Sequence, residues 1–282
     1  NMAICLSGDF DPDQMIATID KYFGGLKPNP DLPKLDLPKE TPITAPVVRE
    51  ILGPDAESVA LAWRFPGAAD KDVETLQVVS QILYNGQAGL IDLDLTQQQK
   101  TLSAYCYPMT MSDYSAFMMQ GRPKQGQTLD EVKDLLLGEL KKLREGDFDE
   151  KMLEANINNF KLYQMQQLEN NDARADMFVE SFVNGSDWAD EVTALDRMSK
   201  LTKDDIVAFA NKYLKDDNYA VIYKKQGKDP NEKKMSKPEI TPIVMNRDTV
   251  STFLKEIQAS VVTPIEPVFL DYSKDLTQLK AK

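Results

Sequence analysis

The first residues that could do chemistry stand together near the start of the chain. Asp9, Asp11 and Asp13 occupy alternate positions in Gly8-Asp9-Phe10-Asp11-Pro12-Asp13, directly after the apolar run Met2 to Ser7. Three such carboxylates can hold a metal, carry a nucleophile or start a helix. An aspartate-nucleophile phosphatase needs its first Asp at the strand end and a hydroxyl or small apolar residue two places after the second. Here Ser7-Gly8 intervene and Asp13 fills that place. A calcium loop fails because Pro12 disrupts the ligand geometry and no glutamate closes the loop at the right distance. What is left is local structure: Asp11 is a good N-cap, Pro12 suits the first helical position, and acids favour the positive end of a helix dipole.

The rest of the chain is poor in reactive combinations. It contains no histidine, so imidazole can be neither general base nor metal ligand in this chain. Ser80, Ser103 and Ser115 therefore lack the usual activating base. The glycines assemble neither a G-x-x-x-x-G-K-[ST] nor a G-x-G-x-x-G phosphate loop. Cys5 and Cys106 sit in strand-like runs and read as two buried thiols rather than a disulfide framework. Asp92 and Asp94, in Leu90-Ile91-Asp92-Leu93-Asp94-Leu95, are a carboxylate pair that a pocket could turn into a site. The following Thr96-Gln97-Gln98-Gln99-Lys100 reads as the exposed end of a helix. The acidic stretch Glu169 to Asp176 reads as a solvated face.

These residues are positioned by elements that hydrophobic spacing makes legible. Strands are predicted over Met2–Ser7, Val47–Leu52, Ser58–Phe65, Leu102–Met111, Tyr114–Gln120 and Asn218–Lys224, with Ser112-Asp113 as a hairpin turn. A helix follows Pro12 until Gly24-Gly25, and another follows Asp70 with Val73, Leu76, Val79 and Leu83 on one stripe. Thr128-x-x-Glu131 is a capping box for a helix carrying Leu129, Val132, Leu136, Leu140 and Leu143. Further helices are predicted from Asp149 to about Asn170 and over Asp172–Val183, Trp188–Met198 and Asp204–Leu214. Strands in pairs between helices imply an α+β fold: a mostly antiparallel sheet of about six strands with helices packed on one face.

At 282 residues, 42% of them hydrophobic, the chain can bury a substantial core. Its net charge of −12 argues against nucleic acid as a partner. No window approaches the ~20 consecutive apolar residues of a membrane span. The abrupt opening on a strand reads as a piece cut from something longer, which leaves the compartment open. After Gly227 the chain turns lysine-rich and is broken by prolines. Residues 1–225 are thus expected to form a folded domain and residues 226–282 a linker or strap. Lys224 to Lys237 should be an exposed loop. Ile240, Ile243, Val244, Val250, Phe253, Leu254, Ile257, Ile265, Val268 and Phe269 should dock, with Thr249–Ile257 as a short helix.

Taken in order, the strand-GDFDP-helix-YFGGL unit, the proline-rich connector, SVALAWRFPG, ETLQVVSQILYNG, AGLIDLDLTQQQKTLSAYCY and KLREGDFDEKMLEANINNF resemble one domain of the pitrilysin/insulinase family of zinc peptidases. The match is to the second, non-catalytic domain of the first half. KPEITPIVMNRDTVSTFLKEI and PIEPVFLDY resemble the joint between the two halves of its long members.

The resemblance implies a clamshell zinc metalloendopeptidase that degrades unfolded peptides, with this chain forming part of the substrate chamber. Its partners would be an upstream catalytic domain, the second half of the same polypeptide and a peptide substrate. Zinc would be the cofactor of the upstream domain, held there by an H-x-x-E-H helix. No catalytic or metal residue is carried over to this chain. The family's second halves use an arginine and, seven residues later, a tyrosine to hold the substrate carbonyl. Tyr105 falls in a matching context, but Gln98 stands where the arginine would be. Tyr105 is therefore a candidate substrate contact, with a purely packing role as the alternative. Two rival readings are a catalytically inactive member serving as a protein-interaction scaffold, and an unrelated α+β small-molecule enzyme working through Asp92 and Asp94.

Overall fold

Apolar residues at every second position make β2 (Ser58–Pro66) a strand with one dry face. Val59, Leu61, Trp63 and Phe65 are all buried. The same alternation places Ser115, Phe117, Met119 and Gly121 of β4 (Tyr114–Arg122) and Ala104 and Cys106 of β3 (Ser103–Met109) on that side. With β1 (Val47–Gly53) and β5 (Tyr219–Gln226), these strands form one sheet in the order β1-β5-β2-β4-β3. Only β1 and β5 run parallel; the other neighbours are antiparallel. The computed structural model describes residues 2–32, 38–230, 236–243 and 249–269. It divides into two compact units, 1–232 and 233–282.

Helices cover the dry face. The predicted stripe of α2 (Lys71–Leu83) is buried, as are Val132, Leu136, Leu140 and Leu143 of α3 (Leu129–Glu145). Each such side chain contributes about 1.5–3 kcal/mol by leaving water. The expected capping box is present, with Thr128 Oγ1 accepting from Glu131 N. Gly121 lets α3 approach: a Cβ there would lie 2.4 Å from Val132 Cγ1. Beyond them lie α4 (Lys151–Leu168), α5 (Asn171–Asn184), α6 (Trp188–Met198) and α7 (Lys203–Tyr213). Trp63 closes the core by donating from Nε1 to the Lys215 carbonyl at 3.0 Å.

The structure departs from the sequence reading at the N-terminus. Met2–Ser7 belongs to no strand, and Met2, Ile4 and Leu6 are exposed. A strand exists only by pairing, and neither sheet edge among the described residues receives this segment. Five strands result among the described residues instead of about six, within the expected α+β class. Cys5 is accordingly only half-buried, whereas Cys106 is buried; neither is in a disulfide. The helix after Asp11, α1 (Pro12–Phe23), has no buried residue. The helix end expected at Thr96–Lys100 follows a π-helical turn, Asp92–Thr96, which is wider than an α-helical one: Gln97 N donates to the Asp92 carbonyl five residues back.

In the second unit, α8 (Thr252–Ala259) begins three residues later than expected, because Ser251 supplies the cap through Oγ to Leu254 N. Val244, Arg247 and residues 231–235 of the lysine-rich stretch lie outside the described residues.

Candidate functional site

The carboxylates singled out by sequence have structural employment. Asp11 accepts from Gln14 N at 2.9 Å as the cap of α1. Asp92, 4% exposed, accepts from the backbone N–H groups of Asn85 and Gly89 through Oδ2, each at 3.0 Å. Asp94 pairs with Lys142 at 2.8 Å, and Lys142 also reaches Glu139 at 3.1 Å. Burial pushes the Glu139 carboxyl up from its ordinary range, and Lys142 only partly offsets this. Asp92 and Asp94 thus clamp a loop and a helix, contrary to the requirement of the small-molecule-enzyme reading. No group of three or more His, Cys, Asp or Glu among the described residues could hold a metal ion. With no histidine in the chain, the donor set does not fit a zinc site of the expected kind.

Tyr105 lies on the other side of the sheet. Residues alternating with the core positions point away from α2 and α3, and cross-strand register aligns them in rows. One row runs Arg49, Ile222, Ala60, Gln120, Tyr105 across all five strands. The next runs Val47, Ala220, Ala62, Met118, Tyr107. The floor is therefore alanine, shallow enough to admit another backbone, and β3 supplies an aromatic margin. Tyr105 and Tyr107 stack with ring centroids 6.1 Å apart, and Tyr84, just past α2, lies 6.3 Å from Tyr105. The Tyr105 hydroxyl donates to Gln120 Oε1. Gln98, by contrast, is bonded to Asp94 Oδ1 at 3.3 Å and is not brought to this row.

Toward the opposite end of the face, the connector residues Pro38–Pro42 border an open groove of about 860 Å³ with Arg64, Pro66 and Tyr114. Arg64 lies over the Tyr114 ring, 5.5 Å from its centroid, and donates to the Thr41 carbonyl at 2.6 Å. The surface as a whole can bind an extended chain by apolar and aromatic contact plus a side-chain amide. Glu40, which borders the groove, is paired with Arg64 at 3.6 Å.

A second surface escaped the sequence reading. Only Leu153, Asn156 and Ile157 of α4 and Ser181 of α5 are buried. Leu162, Tyr163 and Met165 on α4, Phe178 and Phe182 on α5, and Trp188 at the start of α6 are all exposed. Phe178 and Trp188 pack together, ring centroids 4.3 Å apart. The available signal was that Leu162, Tyr163 and Met165 do not share one stripe with Leu153 and Ile157.

An α+β domain with a helix-backed sheet agrees with the comparisons. Residues 1–160 match the peptidase M16 inactive domain. The chain belongs to the M16 family of zinc proteases, the pitrilysin/insulinase group, as its inactive domain. Zinc protease PqqE of Helicobacter pylori is 24% identical over 231 residues, which are 80% of this chain and 51% of that protein. A crystal structure of a protease from Helicobacter pylori is similar with a TM-score of 0.72 and 21% identity, covering 78% of this chain and 54% of that one. The peptidase M16 inactive domain from Pseudomonas fluorescens gives 0.66 and 16%, covering 78% and 52%. The periplasmic protease PqqL from Escherichia coli gives 0.60 and 14%, covering 77% and 26%. The chain thus spans about half the length of the curated relative it matches.

Proposed function

We propose that this chain is the non-catalytic wall of a peptide-degrading chamber in a clamshell zinc metalloendopeptidase, and that the helix-free face of its sheet receives unfolded peptide. The observation that carries the reading is the alanine floor, Ala60, Ala62 and Ala220, bordered by Tyr105, Tyr107 and Met118. Small side chains let a second backbone come close, and the aromatic margin supplies contact area without demanding one sequence. Zinc and the general base belong to a catalytic domain elsewhere in the full-length protein. The exposed apolar surface of α4, α5 and α6 suits packing against that domain, since helices with so few buried residues gain most of their stability from a partner. Residues 1–225 form the wall, and residues 226–282 strap it to the other half. No role for nucleic acid is included, because the net charge of −12 opposes it.

The test uses the full-length polypeptide and an unfolded peptide substrate. Tyr105→Ala is expected to raise KM by about 3–10-fold, the value of one aromatic contact, with zinc content unchanged. KM and kcat both within twofold of the parent would remove Tyr105 from the substrate path. A full-length protein that holds no zinc and cleaves no peptide would favour the inactive-scaffold reading instead.

A further inference from the structure

Charge is distributed unevenly over the two faces of the sheet. Thirty-three basic and forty-five acidic residues make the protein strongly acidic. Yet the strand residues on the helix-free side include Arg49, Arg64, Arg122 and Lys224 and no Asp or Glu. Glu50 of β1 alternates to the helix side, where its register partner is Tyr223 and where it pairs with Lys225 at 2.9 Å.

Arg64 is partly neutralised by Glu40 at 3.6 Å, whereas the other three cations have no acidic partner among the described residues. Among the described residues Lys224 donates to the carbonyls of Asp55 and Ala56, and Arg49 to the Val48 carbonyl, at 2.8 Å. Arg122 enters no ion pair among the described residues. All three lie toward one end of the face. Lys224 is opposite Ser58, Arg122 is opposite Ser103, and Arg49 heads the row that ends at Tyr105.

We propose that this end of the face selects extended peptide segments carrying Asp or Glu side chains. The inference rests on the reading of the face as peptide-receiving and adds its charge preference. Alternate side chains of an extended peptide repeat every ~7 Å on one side, and strands two apart in the sheet are ~10 Å apart, so a segment with two or three acids can meet more than one of these cations. Asp55 and Glu57 flank Lys224 in the turn before β2, but none of the three cations is ion-paired among the described residues, so they attract such a segment over roughly a Debye length, in a molecule that otherwise repels it. Each exposed contact contributes a factor of about 1.5–5, and three together about tenfold.

The experiment uses the full-length polypeptide and two fluorescent peptides identical except that every Glu and Asp of one is Gln or Asn in the other. Binding is followed by anisotropy at low and high salt. The acidic peptide is expected to bind about tenfold more tightly at low salt. The ratio should fall toward one at 0.5 M salt and in the triple variant Arg49→Gln/Arg122→Gln/Lys224→Gln. Glu50→Gln, on the opposite face, controls for a general change in net charge and should leave the ratio near ten. A thermal unfolding midpoint within a few degrees of the parent shows that the triple variant is folded. Equal binding of the two peptides, both weakened by Tyr105→Ala, overturns the charge preference while the peptide-receiving face stands. Binding of neither peptide altered by any of these variants overturns both. A single-stranded oligonucleotide that displaces the acidic peptide at lower concentration than an unlabelled copy would reassign the basic end to phosphate.

Discussion

Removing the Asp92 carboxylate should unfold the protein more readily than its position beside an exposed polar run suggests. Asp92 is 4% exposed, and one oxygen accepts from both Asn85 N and Gly89 N at 3.0 Å. These bonds pin the turn after α2 to the π-helical turn that leads into β3. In Asp92→Ala both N–H groups lose their acceptor. An orphaned buried donor costs about 1–3 kcal/mol; the Gly89 group is buried and the Asn85 group only partly so. A total of about 2–4 kcal/mol follows, larger for the buried donor because water reaches it least. For a protein of this size, with a urea slope near 2–3 kcal/mol/M, the midpoint should fall by about 1 M. Asp92→Asn keeps one oxygen and should cost about half as much. Asp94→Ala removes a pair with Lys142 whose partners are about a third exposed, and should cost less than about 1 kcal/mol. Urea unfolding followed by circular dichroism ranks the three. An Asp92→Ala midpoint within 0.2 M of the parent, or an Asp94→Ala loss larger than the Asp92→Ala loss, would refute the clamp.

Other perturbations address the sheet–helix contact and pH. Gly121→Ala places a methyl 2.4 Å from Val132 Cγ1; the expected loss is about 1–3 kcal/mol, and an unchanged urea midpoint would show that α3 can yield at no cost. Glu139 is held above its ordinary 4.5 by burial despite Lys142. The unfolded chain therefore releases that proton first, and this carboxyl's contribution to stability is present below 4.5 and declines as pH rises through the folded value. Glu139→Gln should flatten that decline in urea midpoints measured from pH 4 to 7, and a steeper decline would reverse the sign assigned to it.

Much of the fold is visible in the sequence because it is encoded locally. The stripe of α2, the Thr128–Glu131 box and the alternation of Ser58–Phe65 each announce an element within a few residues. Met2–Ser7 has the same apolar, strand-like composition, but a strand needs a partner that local pattern cannot supply. The candidate site was legible only as Tyr105, through family resemblance. Its neighbours Gln120, Ala60, Ile222 and Arg49 come from four other strands, and their alignment depends on a register set by the whole sheet. The segregation of Arg49, Arg122 and Lys224 from every acidic strand residue is hidden for the same reason. Asp92 looked like a candidate catalyst because its real partners, two backbone N–H groups, carry no signature in residue type.

The central claim is that unfolded peptide meets the helix-free face of this sheet. The most direct measurement is photocrosslinking of an uncleavable unfolded peptide bearing a benzophenone to the full-length polypeptide, with the adducts mapped by mass spectrometry. Adducts are expected on β2, β3 and β4 at outward positions, Met118, Tyr105 and Tyr107 foremost, and should be competed away by unlabelled peptide. Competable adducts confined to the α4–α6 surface, or to other parts of the polypeptide, would contradict it.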